Sequence, residues 1–186
     1  MDHRELVRQC LKGNPSAQKA LYDLFASDML AVCYRYTKSM ADAEDVLQEG
    51  FVKAFMALEQ YRAQGELGGW IRRIMVNTAL NYLKRKYPYN TELSFTSDHM
   101  HPVSQENPEV RLHAKELADL VRQLPTGYQT IFNLYAVEGF SHAEIGTLLG
   151  ISEGTSRSQY ARARALLITW IQRAEEHPKT QSYAGK

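Results

Sequence analysis

The chain has 186 residues, 44% of them hydrophobic, which is enough for one globular domain or two small ones. Its net charge of +1 at pH 7 does not indicate a nucleic-acid partner, so such a function requires local clusters of basic side chains. The first residues, MDHRELVRQ, are too polar for a secretory signal, and no apolar run approaches the roughly 18 residues of a membrane span. We therefore expect a soluble, cytoplasmic protein.

Apolar residues recur at helical spacing along most of the chain and strand signals are scarce, which predicts an all-α fold. A first helix over residues 2–12 is expected to end at Gly13. Asn14 is expected to cap a second helix whose first residue is Pro15, where the missing amide hydrogen costs nothing. The apolar stripe of this second helix comprises Leu21, Leu24, Phe25, Val32 and Tyr36.

A third helix is expected to start at Ser39 and to carry the acidic segment DAEDVLQEGF at residues 42–51. Acidic residues near a helix start are stabilised by the helix dipole, which accounts for part of this acidity. The polar residues that the dipole does not account for predict a compact acidic surface of Asp45, Gln48 and Glu49 beside apolar residues. Such a surface suits a basic partner protein, because charge steers the encounter and apolar groups supply affinity.

The segment YRAQGELGG at residues 61–69 has three glycines and no periodicity, so it is predicted to be a loop. It is followed by WIRRIMVNTALNYLKRK at residues 70–86, which has five basic residues and no acidic one. A basic, amide-bearing face beside a loop that can accept a base suits an opened nucleic-acid strand. A solvated helix face explains the same residues equally well. The residues predicted to share this face are Arg73, Asn77, Asn81 and Lys84.

Residues 89–108 contain three acidic and no basic side chains, and their composition is typical of a linker. A second domain is expected over residues 109–175, and a polar tail over residues 176–186. The two cysteines, Cys10 and Cys33, are expected to be buried free thiols.

We expect no metal and no cofactor. Three histidines near the predicted linker lack the cysteine or paired carboxylate of a convincing metal site. These histidines are His99, His101 and His113.

Residues 140–167, FSHAEIGTLLGISEGTSRSQYARARALL, predict two helices joined by a tight turn. Ser141 and Glu144 have the spacing of a capping box, Gly150 is suited to end the first helix, and Ser152 is suited to cap the second. The residues expected to face inward are Ser156, Tyr160, Ala163, Leu167 and Ile171. The residues expected on the other faces are Arg157, Ser158, Gln159, Arg162 and Arg164.

Guanidinium and amide groups on the second helix suit phosphate oxygens and base edges in a major groove. The pattern therefore predicts a helix-turn-helix that binds DNA. A packed helical hairpin with a solvated basic face is the plainer alternative.

These segments, in this order, resemble the extracytoplasmic-function (ECF) group of bacterial sigma-70 family RNA polymerase sigma factors. The resemblance is carried by residues 42–55, 70–86 and 124–167. It implies sigma region 2 over residues 1–88 and sigma region 4 over residues 109–175. The implied fold is all-α, with two small helical domains joined by a flexible linker.

The resemblance implies three groups of site residues. Those expected to dock on the coiled coil of the largest catalytic subunit of core RNA polymerase are Asp42, Asp45, Val46, Leu47, Gln48 and Glu49. Those expected to open and hold the non-template strand of the minus-10 element, with one base taken from the stack, are Tyr61, Gly65, Glu66, Leu67, Trp70, Arg73, Asn77, Asn81 and Lys84. Those expected at the minus-35 element are Ser152, Thr155, Ser156, Arg157, Ser158, Gln159 and Arg162.

Two of the minus-35 residues depart from the usual pattern of the family. Ser156 stands where Val is common, and Gln159 where Arg is common. Gln prefers adenine edges and Arg prefers guanine, so the recognised bases are expected to differ.

The implied partners are core RNA polymerase, promoter DNA and an anti-sigma factor that is often membrane anchored, with no small-molecule substrate and no direct membrane insertion. The chain lacks a phosphate-binding glycine loop, an HExxH motif and a nucleophile elbow, so we expect no enzymatic activity. Two other functions are open. A helix-turn-helix repressor or activator that acts without polymerase would leave residues 42–86 as a ligand or dimerisation domain, and a structural helical adaptor would not need the basic segment.

Overall fold

The computed structural model describes residues 3–62, 65–87 and 114–176. These residues fall into two compact units, one within residues 1–88 and the other within residues 89–186. The described ranges contain helices and no strand, which confirms the prediction of an all-α fold with two helical domains. The predicted linker, residues 89–108, and the predicted tail after Glu176 lie outside the described residues.

The described residues of the first unit form four α-helices and a short 3-10 turn. Their bounds are α1 His3–Leu11, α2 Pro15–Tyr36, α3 Met40–Met56, the 3-10 turn Leu58–Gln60 and α4 Leu67–Lys86. Helices α2, α3 and α4 pack against one another in all three pairs, and α1 packs on α2. The largest side chains in the interior of this unit include Leu21, Tyr36, Leu67, Ile71 and Met75.

The helix starts follow the sequence predictions. Asn14 Oδ1 accepts hydrogen bonds from the amides of Ser16 and Ala17, at 3.0 and 3.3 Å, and Pro15 is the first residue of α2. Gly13 has φ +74° directly after α1, a conformation that glycine adopts at little cost. One member of the predicted α2 stripe does not face the core, since Leu24 is 51% exposed.

In the contact of α3 with α4, Gly50 packs against the side chain of Met75. A Cβ at this position would lie 2.2 Å from Met75 Sδ, and the Met75 side chain is fully buried. A side chain at Gly50 would have to displace the buried Met75 side chain, because interior side chains are packed at close to crystal density.

Helix α4 begins at Leu67, three residues before the sequence predicted. The loop prediction was therefore wrong for residues 67–69. Leu67 is buried, and a Cβ on Gly68 would lie 3.1 Å from the Phe25 ring. Burial of a large apolar side chain offsets the roughly 1 kcal/mol that a glycine costs within a helix, so this glycine-rich start folds as helix.

The second unit contains α5 Ala114–Gln123, α6 Thr126–Phe132, α7 His142–Leu149 and α8 Glu153–Glu176, with a π-helical turn at Asn133–Val137. Helices α6 and α7 pack on α8. Val121, Leu124, Ala163 and Leu167 form one buried cluster that joins α5 to α8. Several polar side chains are also buried here, among them Thr126, Gln129, Thr130 and Asn133.

The start of α7 and its connection to α8 confirm the predicted capping residues. The Ser141 amide donates to Glu144 Oε2 at 2.8 Å, and the Glu144 amide donates to Ser141 Oγ at 3.3 Å. Gly150 ends α7 with φ +72°, and the Thr155 amide donates to Ser152 Oγ at 3.0 Å. The two helices therefore have the tight turn of a helix-turn-helix.

Gly146 packs against the backbone of this turn. A Cβ there would lie 2.8 Å from the carbonyl oxygen of Ile151, and that oxygen belongs to a turn fixed by the Ile151 amide bonding to the Gly146 carbonyl at 3.0 Å. A side chain at this position would push the two helices apart.

We expect Gly146→Ala to destabilise the second unit by about 1 to 3 kcal/mol, because the backbone atom it meets cannot rotate away. The matched control is Gly154→Ala in the first turn of α8, where the new Cβ meets only Ser152 Oγ at 3.8 Å. The control should be neutral or stabilising by up to about 1 kcal/mol. Urea unfolding followed by Trp170 fluorescence in a Trp70→Phe background measures both, and equal midpoints for the two variants would contradict the packing described.

Candidate protein and nucleic-acid interfaces

The acidic segment of α3 presents two kinds of residue. Asp45 and Gln48 are exposed, whereas Val46 and Leu47 are buried in the core of the first unit. Val46 and Leu47 were predicted to contact the polymerase, but their side chains are buried and cannot reach a partner directly. They are buried because they occupy the inward positions of an amphipathic helix, where each contributes to packing within the unit.

Asp42 is tied to the end of α4. Its carboxylate accepts a hydrogen bond from the Tyr82 hydroxyl and forms an ion pair with Lys86, whose Nζ lies 2.8 Å from Oδ2. Lys86 also donates to the Tyr82 hydroxyl at 2.9 Å. The hydrogen bonds from Lys86 and then Tyr82 lower the pKa of Asp42 to about 2.

Glu49 makes a second link between the same two helices. Its Oε2 lies 2.6 Å from Nη2 of Arg85 on α4, and its Oε1 lies 2.6 Å from Nζ of Lys53 one turn along α3. Hydrogen bonds from Arg85 first, and then from Lys53, lower the pKa of Glu49 to about 2. Asp42 and Glu49 therefore already have cationic partners within the chain.

The four residues predicted to form one face of α4 are all exposed: Arg73, Asn77, Asn81 and Lys84. Their spacing of four, four and three residues places them on one side of the helix. This stripe begins in the second turn of α4 and ends near its last turn. It presents amide and cationic groups along about 16 Å of helix, at 1.5 Å per residue.

A cavity of about 390 Å³ lies where the stripe begins. The rings of Tyr61 and Trp70 lie beside it with centroids 5.6 Å apart at 51°, and Arg73 also lines it. The Tyr61 hydroxyl donates to the carbonyl of Gly65 at 2.7 Å, which ties Gly65 to the aromatic pair. An aromatic pair with a cation at the rim is an arrangement that can stack and hold a nucleobase.

The cavity brings together five of the nine residues predicted for the minus-10 element: Tyr61, Gly65, Glu66, Trp70 and Arg73. Leu67 is buried instead, so the prediction that it contacts DNA from the surface conflicts with the structure. Gln60, Arg62 and Gly69 line the cavity and were missed by the sequence analysis. Their position next to an aromatic pair was the signal that could have identified them.

On the second unit, the outer side of α8 carries Arg157 and Ser158, which are exposed, and the half-buried Arg162. Arg157 donates to Glu153 Oε1 through Nε at 3.1 Å, within the first turns of the helix. Ser152 is exposed and Thr155 is half-buried, and their hydroxyl oxygens lie 2.8 Å apart.

Two of the residues predicted to read the minus-35 element are buried. Ser156 Oγ lies 2.9 Å from His142 Nδ1, which joins α8 to α7, and Gln159 is almost fully inaccessible. The proposed reading of bases by these two residues therefore conflicts with the structure. Both lie on the inward side of α8 with Ala163, where Ser156 bonds to His142 and the side-chain oxygen of Gln159 has no hydrogen-bond partner among the described residues. Ala161 and Arg164, by contrast, are exposed.

His142 is part of an aromatic cluster within the helix-turn-helix. Its ring is stacked on Tyr135 at 4.2 Å and 9°, and the Tyr160 ring lies 4.5 Å from Tyr135. Burial is the main cause that lowers the pKa of His142, and the positive charge of Arg157 lowers this pKa further. A neutral imidazole in this position supports the hydrogen bond to Ser156.

The described residues contain no group of three potential metal ligands. His99, His101 and His113 lie outside them. Cys10 and Cys33 are buried free thiols, as predicted, and burial raises the pKa of Cys33 to about 12. Among the helices of the described ranges, none is long and apolar enough to cross a membrane.

Both units match known protein families. Residues 21–87 match Sigma-70 region 2 and residues 114–167 match Sigma-70 region 4. The ECF RNA polymerase sigma-E factor of Haemophilus influenzae is 30% identical over 178 residues, which cover 90% of this chain and 94% of that protein. The chain belongs to the ECF group of sigma-70 family sigma factors. This sigma factor therefore binds core RNA polymerase and directs it to promoters.

Two further similarities agree with this assignment. The RNA polymerase sigma-H factor of Pseudomonas aeruginosa is 30% identical to this sigma factor over 181 residues, 91% of this chain and 93% of that protein. The sigma factor RpoE of Bartonella quintana, solved in complex with the anti-sigma factor NepR, has the same fold with a TM-score of 0.52 and 19% identity. That similarity covers 83% of this chain and 96% of that one.

The ion pairs of Glu49 should make the stability of the first unit depend on pH. Because the pKa of Glu49 is lowered in the folded chain, its pairs stabilise the first unit above pH about 5, and this stabilisation is lost as the pH falls towards about 2. Glu49→Gln should lower the free energy of unfolding by about 1 kcal/mol at pH 7, after allowance for partial solvent screening, and by almost nothing at pH 2.

The measurement is urea unfolding at several pH values, followed by Trp70 fluorescence in a Trp170→Phe background. Glu44→Gln is the matched control, since Glu44 is an exposed carboxylate on the same helix. A loss of stability for Glu49→Gln that is the same at pH 7 and pH 2 would show that the ion pairs are not its source.

Proposed function

We propose that this sigma factor uses three separate surfaces in initiation. The exposed acidic side of α3 binds core polymerase, the cavity and polar stripe of α4 hold the opened minus-10 strand, and the outer side of α8 binds the minus-35 element. The observation that carries this proposal is the cavity lined by Tyr61, Trp70 and Arg73, at the start of the exposed stripe that begins with Arg73.

The proposed polymerase surface on α3 has fewer residues than the six predicted from the sequence. Asp45 and Gln48 are its centre, because they are exposed, while Asp42 and Glu49 are engaged by Lys86 and Arg85. Exposed carboxylates attract basic groups of a partner without first breaking an internal ion pair. Asp42 and Glu49 would contribute mainly by holding α3 in place against α4.

The minus-10 strand would be held by stacking and by charge together. The cavity of about 390 Å³ has room for one base, with Tyr61 and Trp70 as its aromatic walls and Arg73 at its rim. Asn77 and Asn81 lie further along the same side of α4 and offer both donors and acceptors to base edges or sugars. Base stacking on aromatic rings contributes about 1 to 3 kcal/mol per base, enough to retain a base taken from the duplex.

At the minus-35 element, α8 would enter the major groove with its outer side towards the DNA. Arg157, Ser158 and Arg162 supply donors there, and the exposed Arg164 is placed to contact phosphate. Arg157 must exchange Glu153 for a DNA group, since the two are bonded in the free chain.

The remaining parts of the proposal concern organisation and partners. Residues 1–88 would act as region 2 and residues 109–175 as region 4, with residues 89–108 as the connection. The chain would work in the cytoplasm with the polymerase and carry no catalytic group, so that the chemistry of RNA synthesis belongs to the polymerase. The Bartonella quintana protein is bound by an anti-sigma factor, which supports an anti-sigma partner for this chain as well.

A single-stranded oligonucleotide with the minus-10 sequence of the non-template strand tests the central surface. Arg73→Ala in the holoenzyme should weaken binding of this oligonucleotide about tenfold, because a phosphate contact is lost. The slope of log affinity against log salt concentration should become shallower by about one. Asn77→Ala should weaken binding without changing the salt dependence. The measurement is fluorescence anisotropy at several salt concentrations.

Arg157→Ala is the matched control, since it removes an exposed guanidinium from the other unit. It should leave binding of the single strand unchanged and weaken binding of duplex that carries the minus-35 element. If Arg73→Ala and Asn77→Ala both bind the single strand as the unaltered protein does, the strand is held elsewhere and the assignment of α4 is wrong.

A further inference from the structure

The side chains of His142 and Ser156 join the two helices of the helix-turn-helix inside the second unit. His142 is the first residue of α7, and its Nδ1 lies 2.9 Å from Oγ of Ser156 on α8. Ser156 is fully inaccessible, and His142 is only 8% exposed. Ser156 directly precedes the exposed Arg157. The bond therefore ties the start of α7 to the part of α8 that is proposed to meet DNA.

The hydrogen-bonding capacity of the two side chains determines which form of His142 fits this site. A serine hydroxyl has one hydrogen to donate, and in the described part of the chain the hydrogen-bond partner of Ser156 Oγ is His142. That hydrogen has an acceptor only when Nδ1 carries no proton, as in the neutral imidazole with its hydrogen on Nε2. A protonated ring would place a second hydrogen against the hydroxyl and leave the serine hydrogen buried without an acceptor.

Two aromatic rings hold the imidazole in its orientation. Tyr135 of the π-helical turn is stacked on His142 with centroids 4.2 Å apart, and the Tyr160 ring of α8 lies 5.8 Å from His142 at 58°. An imidazole packed between rings from two elements has little freedom to turn. Nδ1 therefore stays at the Ser156 hydroxyl.

The charged groups around the ring do not compensate a proton on it. Two charged side chains of α8 act on His142: Arg157 lowers its pKa and Glu153 raises it, while burial lowers it most. These two side chains are bonded to each other, with Arg157 Nε 3.1 Å from Glu153 Oε1. The carboxylate that could stabilise an imidazolium is therefore engaged by Arg157. The facing phenols, Tyr135 and Tyr160, supply no negative charge in the acidic range.

We propose that His142 is a positioning residue for promoter recognition. As a neutral imidazole that accepts the Ser156 hydrogen, it holds α8 in the orientation that binds the minus-35 element, and protonation of the ring releases this hold. The inference rests on the proposed DNA-binding surface of α8. It adds a buried pair that would itself touch no DNA, and it makes binding of the minus-35 element sensitive to acid.

The direction of this pH dependence follows from the two states of the ring. The DNA-bound state requires the neutral ring bonded to Ser156, whereas a released ring regains the ordinary pKa of about 6.5. Binding of DNA therefore expels a proton below that pH, and the affinity falls as the pH is lowered. Because one proton is expelled, the fall is at most about tenfold per pH unit.

The test measures binding of a fluorescent duplex by holoenzymes that contain full-length variants, from pH 7.5 to pH 5.5. The duplex is one that the unaltered holoenzyme has selected from random sequence. We expect the affinity of the unaltered protein to fall about three- to tenfold over this range. Ser156→Ala should bind about three- to tenfold more weakly at pH 7.5, because the bond is lost. It should also lose the pH dependence, since no hydroxyl hydrogen remains to be left without an acceptor.

His142→Asn is the conservative variant, because an asparagine oxygen can accept the Ser156 hydrogen and does not titrate. It should bind the duplex more tightly than His142→Ala at pH 7.5 and show no pH dependence. His3→Asn is the matched control, since His3 is an exposed histidine of the other unit, and it should keep the full pH dependence. Urea midpoints at each pH establish that every variant is folded.

Arg157→Ala tests the surface on which the inference rests. If Arg157→Ala weakens duplex binding while Ser156→Ala and His142→Asn keep the affinity and pH profile of the unaltered protein, the surface stands and the positioning role is overturned. An affinity of the unaltered protein that rises in acid would also overturn it, because DNA would then favour the protonated ring. If Arg157→Ala does not weaken binding, the minus-35 assignment itself fails, and the inference fails with it.

Discussion

The packing of α3 on α4, with Gly50 against the Met75 side chain, determines what the first unit can present to its partners. Two ion pairs also join these helices, since Asp42 and Glu49 of α3 bind Lys86 and Arg85 in the last turn of α4. The pairing fixes the rotation of each helix about its own axis. As a result, the exposed Asp45 and Gln48 of α3 and the polar stripe of α4 are held on one pair of packed helices.

The acidic residues of α3 show how the same residue type has two functions in one helix. Asp42 and Glu49 face cations of α4, and their pKa values of about 2 show how strongly their charged forms are favoured. Asp45 lies between them in sequence but faces outward and is exposed. Geometry divides these carboxylates into those that hold the unit together and one that is available to a partner, a division that composition does not reveal.

The helix boundaries and the turn were predictable from sequence because local chemistry determines them. Asn14, Ser39, Ser141 and Ser152 each accept an amide hydrogen at the helix start that the sequence indicated. Gly150 adopts the left-handed conformation expected of it. These features depend on residues within four positions of each other, so no knowledge of the tertiary structure was needed.

The contact surfaces were less predictable, because burial depends on neighbouring helices. Gln159 is polar and was expected on an outer face of a basic helix, yet the packing of α7 against α8 encloses it. The spacing did predict that Ser156 faces inward, and the structure shows it buried. Leu67 lies within a glycine-rich stretch, and its burial against the rest of the unit explains why α4 starts there. The cavity beside Trp70 combines residues from the 3-10 turn, the following segment and α4, and its shape could not be derived from any one of them.

The most direct test of this account is a cryo-electron microscopy structure of this sigma factor with core polymerase on a promoter bubble. The account predicts a contact of the polymerase with Asp45 on α3, and one displaced non-template base in the cavity lined by Tyr61, Trp70 and Arg73. A cavity that is empty while the displaced strand follows another surface, or an α4 stripe covered by polymerase instead of DNA, would contradict it.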